Sequence, residues 1–196
     1  DFGYCYESIV ALAGYGVLLA GLINEYGDGY RFGELSLCFQ SRFGKAFLAR
    51  QTHMFYGFLY HLNNSLSDSL PHLKLGFEAG MTTDETSDAM SCLSVWGSHY
   101  INAGLPLGPF IDEMRDHLDL MQDLEQKRVW QVSIPYVHLA LNLLGKSKEP
   151  TTLSNSSEFV PEWEQYMEGV QKGDSINALR AIYAVNMETA YWFGDY

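Results

Sequence analysis

The chain has 196 residues, of which 47% are hydrophobic and 18% are charged, and it contains 13 Tyr and 11 Phe. So many aromatic rings require extensive burial, which argues against disorder over most of the chain. The formal net charge of −12 repels the phosphates of nucleic acids and of anionic lipids, so neither a nucleic acid nor a membrane surface is an expected partner.

Helical periodicity accounts for most of the sequence, and strand signals are nearly absent. Apolar helices that we expect to be buried are predicted, in chain order, over 6–25, 45–63, 85–103, 127–144 and 176–193. More amphipathic helices are predicted between them, over 28–43, 66–80, 107–126 and 160–172. The buried class recurs roughly every 40 residues, a period typical of repeated helix pairs. The sequence therefore predicts an all-α fold of antiparallel helix hairpins, a TPR-like α-solenoid of about nine helices, in a single domain over 1–196.

Local signals refine several of these elements. Thr82 and Glu85 have the spacing of a capping box ahead of the helix over 85–103. The helix over 107–126 has the clearest apolar stripe, which consists of Leu107, Ile111, Met114, Leu118 and Met121. In the next helix, Pro135 predicts a kink or a local break. Residues 146–161 are polar and contain prolines near both ends, so they predict an irregular surface loop.

Three widely spaced cysteines form neither a CxxC motif nor a disulfide framework. Cys5, Cys38 and Cys92 each lie in an apolar helical stretch, so we expect each to pack as a small hydrophobic side chain. This cysteine usage suits a reducing compartment, which predicts a cytoplasmic location. The most apolar run, Ile9 to Ile23, is interrupted by glycines and predicts no membrane span.

The sequence lacks the motifs of phosphate binding and nucleophilic catalysis, including GxxxxGK[ST] and GxSxG. We therefore predict no enzymatic activity, no catalytic residue, no cofactor and no metal for this segment. One alternative is a helical metal-dependent enzyme, because Glu113 and His117 are four residues apart on one helix face with Asp116 beside them. A solvated acidic helix face is the other interpretation of these three residues.

Aromatic residues at helical spacings provide a candidate interaction surface, which consists of Tyr15, Phe55, Tyr56 and Tyr60. Such spacings are typical of core packing. On the concave face of a helical stack the same residues would contact a bound peptide or helix. Another alternative is a small-ligand sensor with a pocket lined by Tyr15, Phe55 or Tyr60.

Five segments resemble, in order and spacing, a known class of signalling protein. They are 15–21 (YGVLLAG), 29–37 (GYRFGELSL), 103–107 (AGLPL), 141–145 (LNLLG) and 191–196 (YWFGDY). The class is the multi-domain predicted ATPase–sensor kinases, and the resemblance is to their TPR-like helical region. These proteins combine a kinase-like domain, an AAA-type NTPase module, the helical region, GAF or PAS sensors, and often a histidine-kinase or cyclase output.

The resemblance covers nearly the whole chain and is weakest after Lys146, and Pro135 departs from the usual pattern. It implies a non-catalytic scaffold or regulatory segment that contacts other proteins or adjacent domains of its own chain. None of the catalytic motifs of the class occurs here. We also expect the chain to be a piece of a longer protein whose end repeats expose apolar faces, and therefore to self-associate.

Overall fold

The computed structural model describes residues 5, 7–42, 44, 46–153, 157, 159–160, 162–173 and 175–194. These residues form nine α-helices and no strand, which confirms the predicted all-α class and helix number. The helices are α1 (Glu7–Leu18), α2 (Tyr26–Gln40), α3 (Leu48–Phe58), α4 (Leu66–Thr82), α5 (Thr86–Asn102), α6 (Leu107–Asp123), α7 (Lys127–Leu143), α8 (Trp163–Lys172) and α9 (Ile176–Phe193). A π-helical turn, Leu19–Ile23, follows α1, and a 3₁₀ turn, Tyr60–Leu62, follows α3. No described helix is long and apolar enough to cross a membrane.

The chain divides into two compact units, Asp1–Ala103 and Gly104–Tyr196, which are described separately. The prediction of a single domain over 1–196 stays a prediction. In the first unit α1 packs against α2, α3 against α4, and α4 against α5, and α3 also contacts α1 and α5. Short connections join α1 to α2 and α4 to α5, so each pair forms a helix hairpin of the predicted kind.

Glycines set the close approach of α1 and α2. A Cβ atom on Gly16 would lie 2.5 Å from the carbonyl oxygen of Gly29, and one on Gly29 would lie 2.7 Å from the carbonyl oxygen of Gly16. Real Cβ atoms do not approach backbone atoms so closely, so only glycine fits at either position. Gly16 of the segment 15–21 and Gly29 of the segment 29–37 therefore have a packing role, which periodicity alone did not predict.

In the second unit α6 packs against α7, and α9 packs against both α7 and α8. The predicted stripe of α6 faces the core, since Ile111, Met114, Leu118 and Met121 are buried and Leu107 is half-buried. The hydroxyl of Tyr166 in α8 donates a hydrogen bond of 2.6 Å to the backbone carbonyl of Gln131 in α7. This buried bond fixes the position of α8 on α7.

The described residues of 146–161 form turns and bends, and several contacts hold them to α7. The amide of Asn142 donates to the carbonyl of Thr152 at 2.9 Å. The Nδ1 atom of His138 lies 3.0 Å from the carbonyl oxygen of Leu153. Leu153 and Val160 are buried, so this connection contributes two side chains to the core of the unit.

Three local predictions need correction. Helix α7 continues without interruption through Pro135, so the predicted break is absent. Thr82 is the last residue of α4 and its hydroxyl donates to the Ala79 carbonyl at 2.8 Å, so it does not cap α5. Cys5 and Cys38 are exposed, and of the three cysteines only Cys92 packs inside.

Candidate interaction surfaces

Three of the four predicted aromatic residues meet in one cluster. We define the tyrosine cluster as Tyr30 of α2, Phe55 and Tyr56 of α3, Tyr60 of the 3₁₀ turn, and His72 of α4. The ring of Phe55 lies 5.1 Å from that of Tyr56 and 5.8 Å from that of Tyr60, both edge-to-face. Such edge-to-face contacts stabilise aromatic groups beyond the effect of burial alone.

The polar atoms of the tyrosine cluster are held in place by neighbouring residues. The amide of Asn64 donates to the hydroxyl of Tyr30 at 2.8 Å and to the backbone carbonyl of Tyr60 at 3.1 Å. The imidazole of His72 stacks on the ring of Tyr56, with a centroid distance of 4.2 Å and an angle of 10° between the planes. The cluster therefore has a defined geometry with side chains from four successive elements.

Burial shifts the pKa values of two side chains in the tyrosine cluster. Burial raises the pKa of Tyr56, and the nearby hydroxyls of Tyr60 and Tyr30 raise it further. Burial also lowers the pKa of His72. Phe55 is in the core, whereas the other four side chains are half-buried and present rings and polar groups at the surface.

Tyr15 lies apart from the tyrosine cluster. Its ring makes an edge-to-face contact with Phe32, at a centroid distance of 4.8 Å, and the side chain is 49% exposed. Leu18 and Leu22 are also exposed and follow Tyr15 at spacings of three and four residues. We define these three residues, two in α1 and one in the π-helical turn that follows it, as the α1 outer face. The sequence did not predict that Tyr30 and His72 belong to the tyrosine cluster, because their approach to α3 depends on tertiary packing.

Helix α9 has a second exposed apolar surface. Ile176, Tyr183, Met187 and Tyr191 are 61–74% exposed and lie on one side of the helix. We define these four residues as the α9 outer face. The opposite side of α9 is buried in the unit. A helix that is apolar on both sides leaves one side available for a further contact.

Two of the three residues considered for a metal site lie close together in α6. The Nε2 atom of His117 is 3.8 Å from a carboxylate oxygen of Glu113, and Asp116 is exposed on the same helix. The described part of the chain contains no group of three or more His, Cys, Asp or Glu side chains arranged to hold a metal ion. Glu113 and His117 form an i,i+4 contact within α6.

His138 is buried in α7 and is hydrogen-bonded through both ring nitrogens. A carbonyl can only accept, so Nδ1 of His138 donates to Leu153. Its Nε2 atom therefore accepts from the Ser157 hydroxyl at 2.9 Å. Ser157 Oγ in turn accepts from the backbone N–H of Val160 at 3.2 Å. Burial lowers the pKa of His138 to about 4, so it is neutral at pH 7, where these bonds are satisfied.

The comparisons with known proteins give one distant similarity. No family model matches the sequence, and no solved structure matches it. Hybrid signal transduction histidine kinase G of Dictyostelium discoideum is 23% identical to this chain over 146 residues. The similarity covers 73% of this chain and 4% of that kinase, so the chain spans a small part of the relative that it matches. This finding relates the helical chain to a signal transduction protein.

Proposed function

We propose that this chain is a non-catalytic, TPR-like helical-repeat segment of a signal transduction ATPase or kinase, and that it mediates contacts with proteins or with adjacent domains. The observation that carries the proposal is the exposure of the α1 and α9 outer faces, each on a helix whose other side packs in its unit. Exposed apolar patches of this kind mark interaction surfaces in soluble proteins. The similarity to a histidine kinase supports the signalling context.

Helix hairpins suit such a role for a physical reason. Each hairpin buries its apolar residues only by packing against its neighbours, so a change at one contact is transmitted to the next. A segment of this type can hold a partner and can also restrain the movement of domains joined to it. The tyrosine cluster gives the first unit a structured surface for such a contact, with rings from α2, α3 and α4.

Two measurements test the proposed function. The first assays the 196-residue chain for ATP hydrolysis and phosphoryl transfer, and we expect no activity above that of the buffer. The second uses the full protein encoded by the gene and compares its kinase or ATPase output before and after removal of this segment. We expect the output to change while nucleotide binding persists. ATP hydrolysis by the chain itself, or an unchanged output after the removal, would contradict the proposal.

A substitution separates a loss of contact from a loss of structure. Leu18→Asp with Leu22→Asp places charges on the α1 outer face, where both side chains are exposed. We expect this variant to keep its helical circular dichroism and to change the output of the full protein. Glu34→Gln, at an exposed position of α2, is the matched control and should leave the output as it was.

A further inference from the structure

Helix α9 has a self-complementary distribution of charge beside its outer face. Helix α9 contains two charged residues, Arg180 and Glu188, which lie eight residues apart and equally distant from Ala184. Eight residues correspond to roughly 12 Å along the helix, too far for the two side chains to pair within one helix. Arg180 is exposed, Glu188 is half-buried, and the small side chain of Ala184 is exposed between them.

We propose that the α9 outer face binds the same face of a second copy of this chain, with the two helices antiparallel and crossing at Ala184. A two-fold axis at Ala184 places Arg180 of each copy opposite Glu188 of the other, so two ion pairs form from one sequence. The same operation places Ile176 of each copy level with Tyr191 and Trp192 of the other. Alanine at the crossing point lets the two helix backbones approach closely.

The charge pattern favours a second copy over a partner of another kind. One positive and one negative residue at equal distances from a central alanine give the face no net charge to attract an acidic or a basic partner. When a second copy of the helix runs in the opposite direction, its negative residue lies opposite the positive residue of the first copy, and its positive residue lies opposite the negative one. Self-association through α9 is one form of the protein contact proposed above, and it rests on that proposed function.

The area of the α9 outer face sets the expected strength of the contact. Aromatic side chains bury about 150–250 Å² each, and two of the four residues are aromatic. With somewhat smaller areas for Ile176 and Met187, the four side chains at 61–74% exposure contribute on the order of 500 Å² per copy. The total of about 1,000 Å² lies at the lower end of specific interfaces. We therefore expect a dimer that dissociates in the micromolar range rather than an obligate one.

Cysteine cross-linking tests the geometry. The parent variant carries Cys5→Ser and Cys38→Ser and keeps the buried Cys92. In this background Ala184→Cys places two thiols at the two-fold axis, and we expect a disulfide-linked dimer on mild oxidation. The matched control Asn177→Cys is also exposed, but its two thiols would lie roughly 20 Å apart in the antiparallel arrangement. Equal cross-linking of both variants, or none of Ala184→Cys, would overturn the proposed arrangement.

Charge exchange tests the ion pairs by sedimentation equilibrium. Arg180→Glu and Glu188→Arg each place like charges opposite one another twice, so we expect each to weaken the dimer about tenfold. The double variant restores opposite charges and should recover the affinity of the wild type. A double variant no tighter than either single variant would contradict the pairing. Glu164→Gln, at an exposed position of α8, is a control that should leave the affinity unchanged.

Apolar contact is tested by Met187→Asp, because Met187 is the most exposed of the four residues. We expect this variant to be monomeric and to keep its helical circular dichroism. Leu18→Asp with Leu22→Asp alters the α1 outer face instead, and it should dimerise as the wild type does. Loss of association in that variant would show head-to-tail pairing of different faces and would refute the proposal.

A wild-type chain that is monomeric at ~100 µM would also refute the proposed dimer, because an interface of this size should form in that range. That result would leave the proposed function standing, since contacts with other domains do not require a second copy. Conversely, ATP hydrolysis by the isolated chain would contradict the proposed function without changing the cross-linking result. The proposed dimer and the proposed function can therefore each be contradicted without contradicting the other.

Discussion

Acidification should destabilise this protein through two buried histidines. Burial lowers the pKa of His99 to about 4. The nearby His61 also lowers this pKa, whereas a hydrogen bond with the Gly57 backbone raises it. Burial likewise lowers the pKa of His138 to about 4. Because both histidines titrate near their ordinary value of 6.5 once unfolded, the unfolded chain binds more protons between pH 4 and pH 6.5. The stability that these neutral histidines provide is complete above pH 6.5 and is lost as the pH falls toward 4.

The magnitude follows from the two pKa values. One pKa unit corresponds to about 1.4 kcal/mol. Between pH 7 and pH 5 the free energy of unfolding should fall by about 2 kcal/mol for each histidine, because at pH 5 the unfolded side chain is almost fully protonated. Below pH 4 the loss approaches about 3 kcal/mol each. A domain of this size is stable by about 5–15 kcal/mol, so the effect is readily measured.

The assay is urea unfolding at pH 7 and pH 5, followed by circular dichroism. His138→Gln and His99→Gln remove the titrating group and keep an amide that can hydrogen-bond. We expect each variant to lose about 2 kcal/mol less stability than the wild type on the same change of pH. The comparison cancels the effect of the carboxylates, which are the same in all three chains. Equal pH dependence in wild type and both variants would refute the assignment of buried neutral histidines.

Two further substitutions test the packing. Gly16→Ala should lower the free energy of unfolding by about 1–3 kcal/mol, because the new Cβ would lie 2.5 Å from the Gly29 carbonyl oxygen. The control is Gly21→Ala, where the new Cβ enters open space, and its stability in the same urea titration should be unchanged. Tyr166→Phe removes the buried 2.6 Å hydrogen bond to the Gln131 carbonyl and should lower the free energy of unfolding by about 1–3 kcal/mol, measured by thermal or urea unfolding. If Gly16→Ala or Tyr166→Phe leaves the stability unchanged, the corresponding contact is contradicted.

The helices were predictable because their apolar residues recur with the period of the α-helix. The apolar residues of α6 are separated by three or four positions and therefore form a stripe along one face of the helix. This stripe, Ile111, Met114, Leu118 and Met121, is buried in the structure. Loops were also marked by proline and polar residues, as in 146–161. These signals are local in sequence, so they do not depend on how the helices pack.

Other features depend on tertiary contacts and were not visible in the sequence. Pro135 predicted a kink or a local break, and α7 continues through this residue without a break, with the proline side chain buried. The tyrosine cluster needed Tyr30 and His72, which reach α3 from other helices. His138 is a hydrogen-bonded core histidine whose partners, Leu153 and Ser157, lie in the irregular connection. Their positions could not be predicted from periodicity.

Helix α9 shows where a pattern of hydrophobic residues stops being informative. Ile176 and Tyr183 continue the apolar character of the helix as well as Ile182 and Val185 do, and the sequence therefore favoured a mostly buried helix. The structure separates them, because Ile182 and Val185 face the core while Ile176 and Tyr183 are exposed. Hydrophobicity alone cannot distinguish a side chain that packs within its unit from one that contacts another molecule. The symmetric placement of Arg180 and Glu188 is the additional signal on which the proposed self-association of this helix rests.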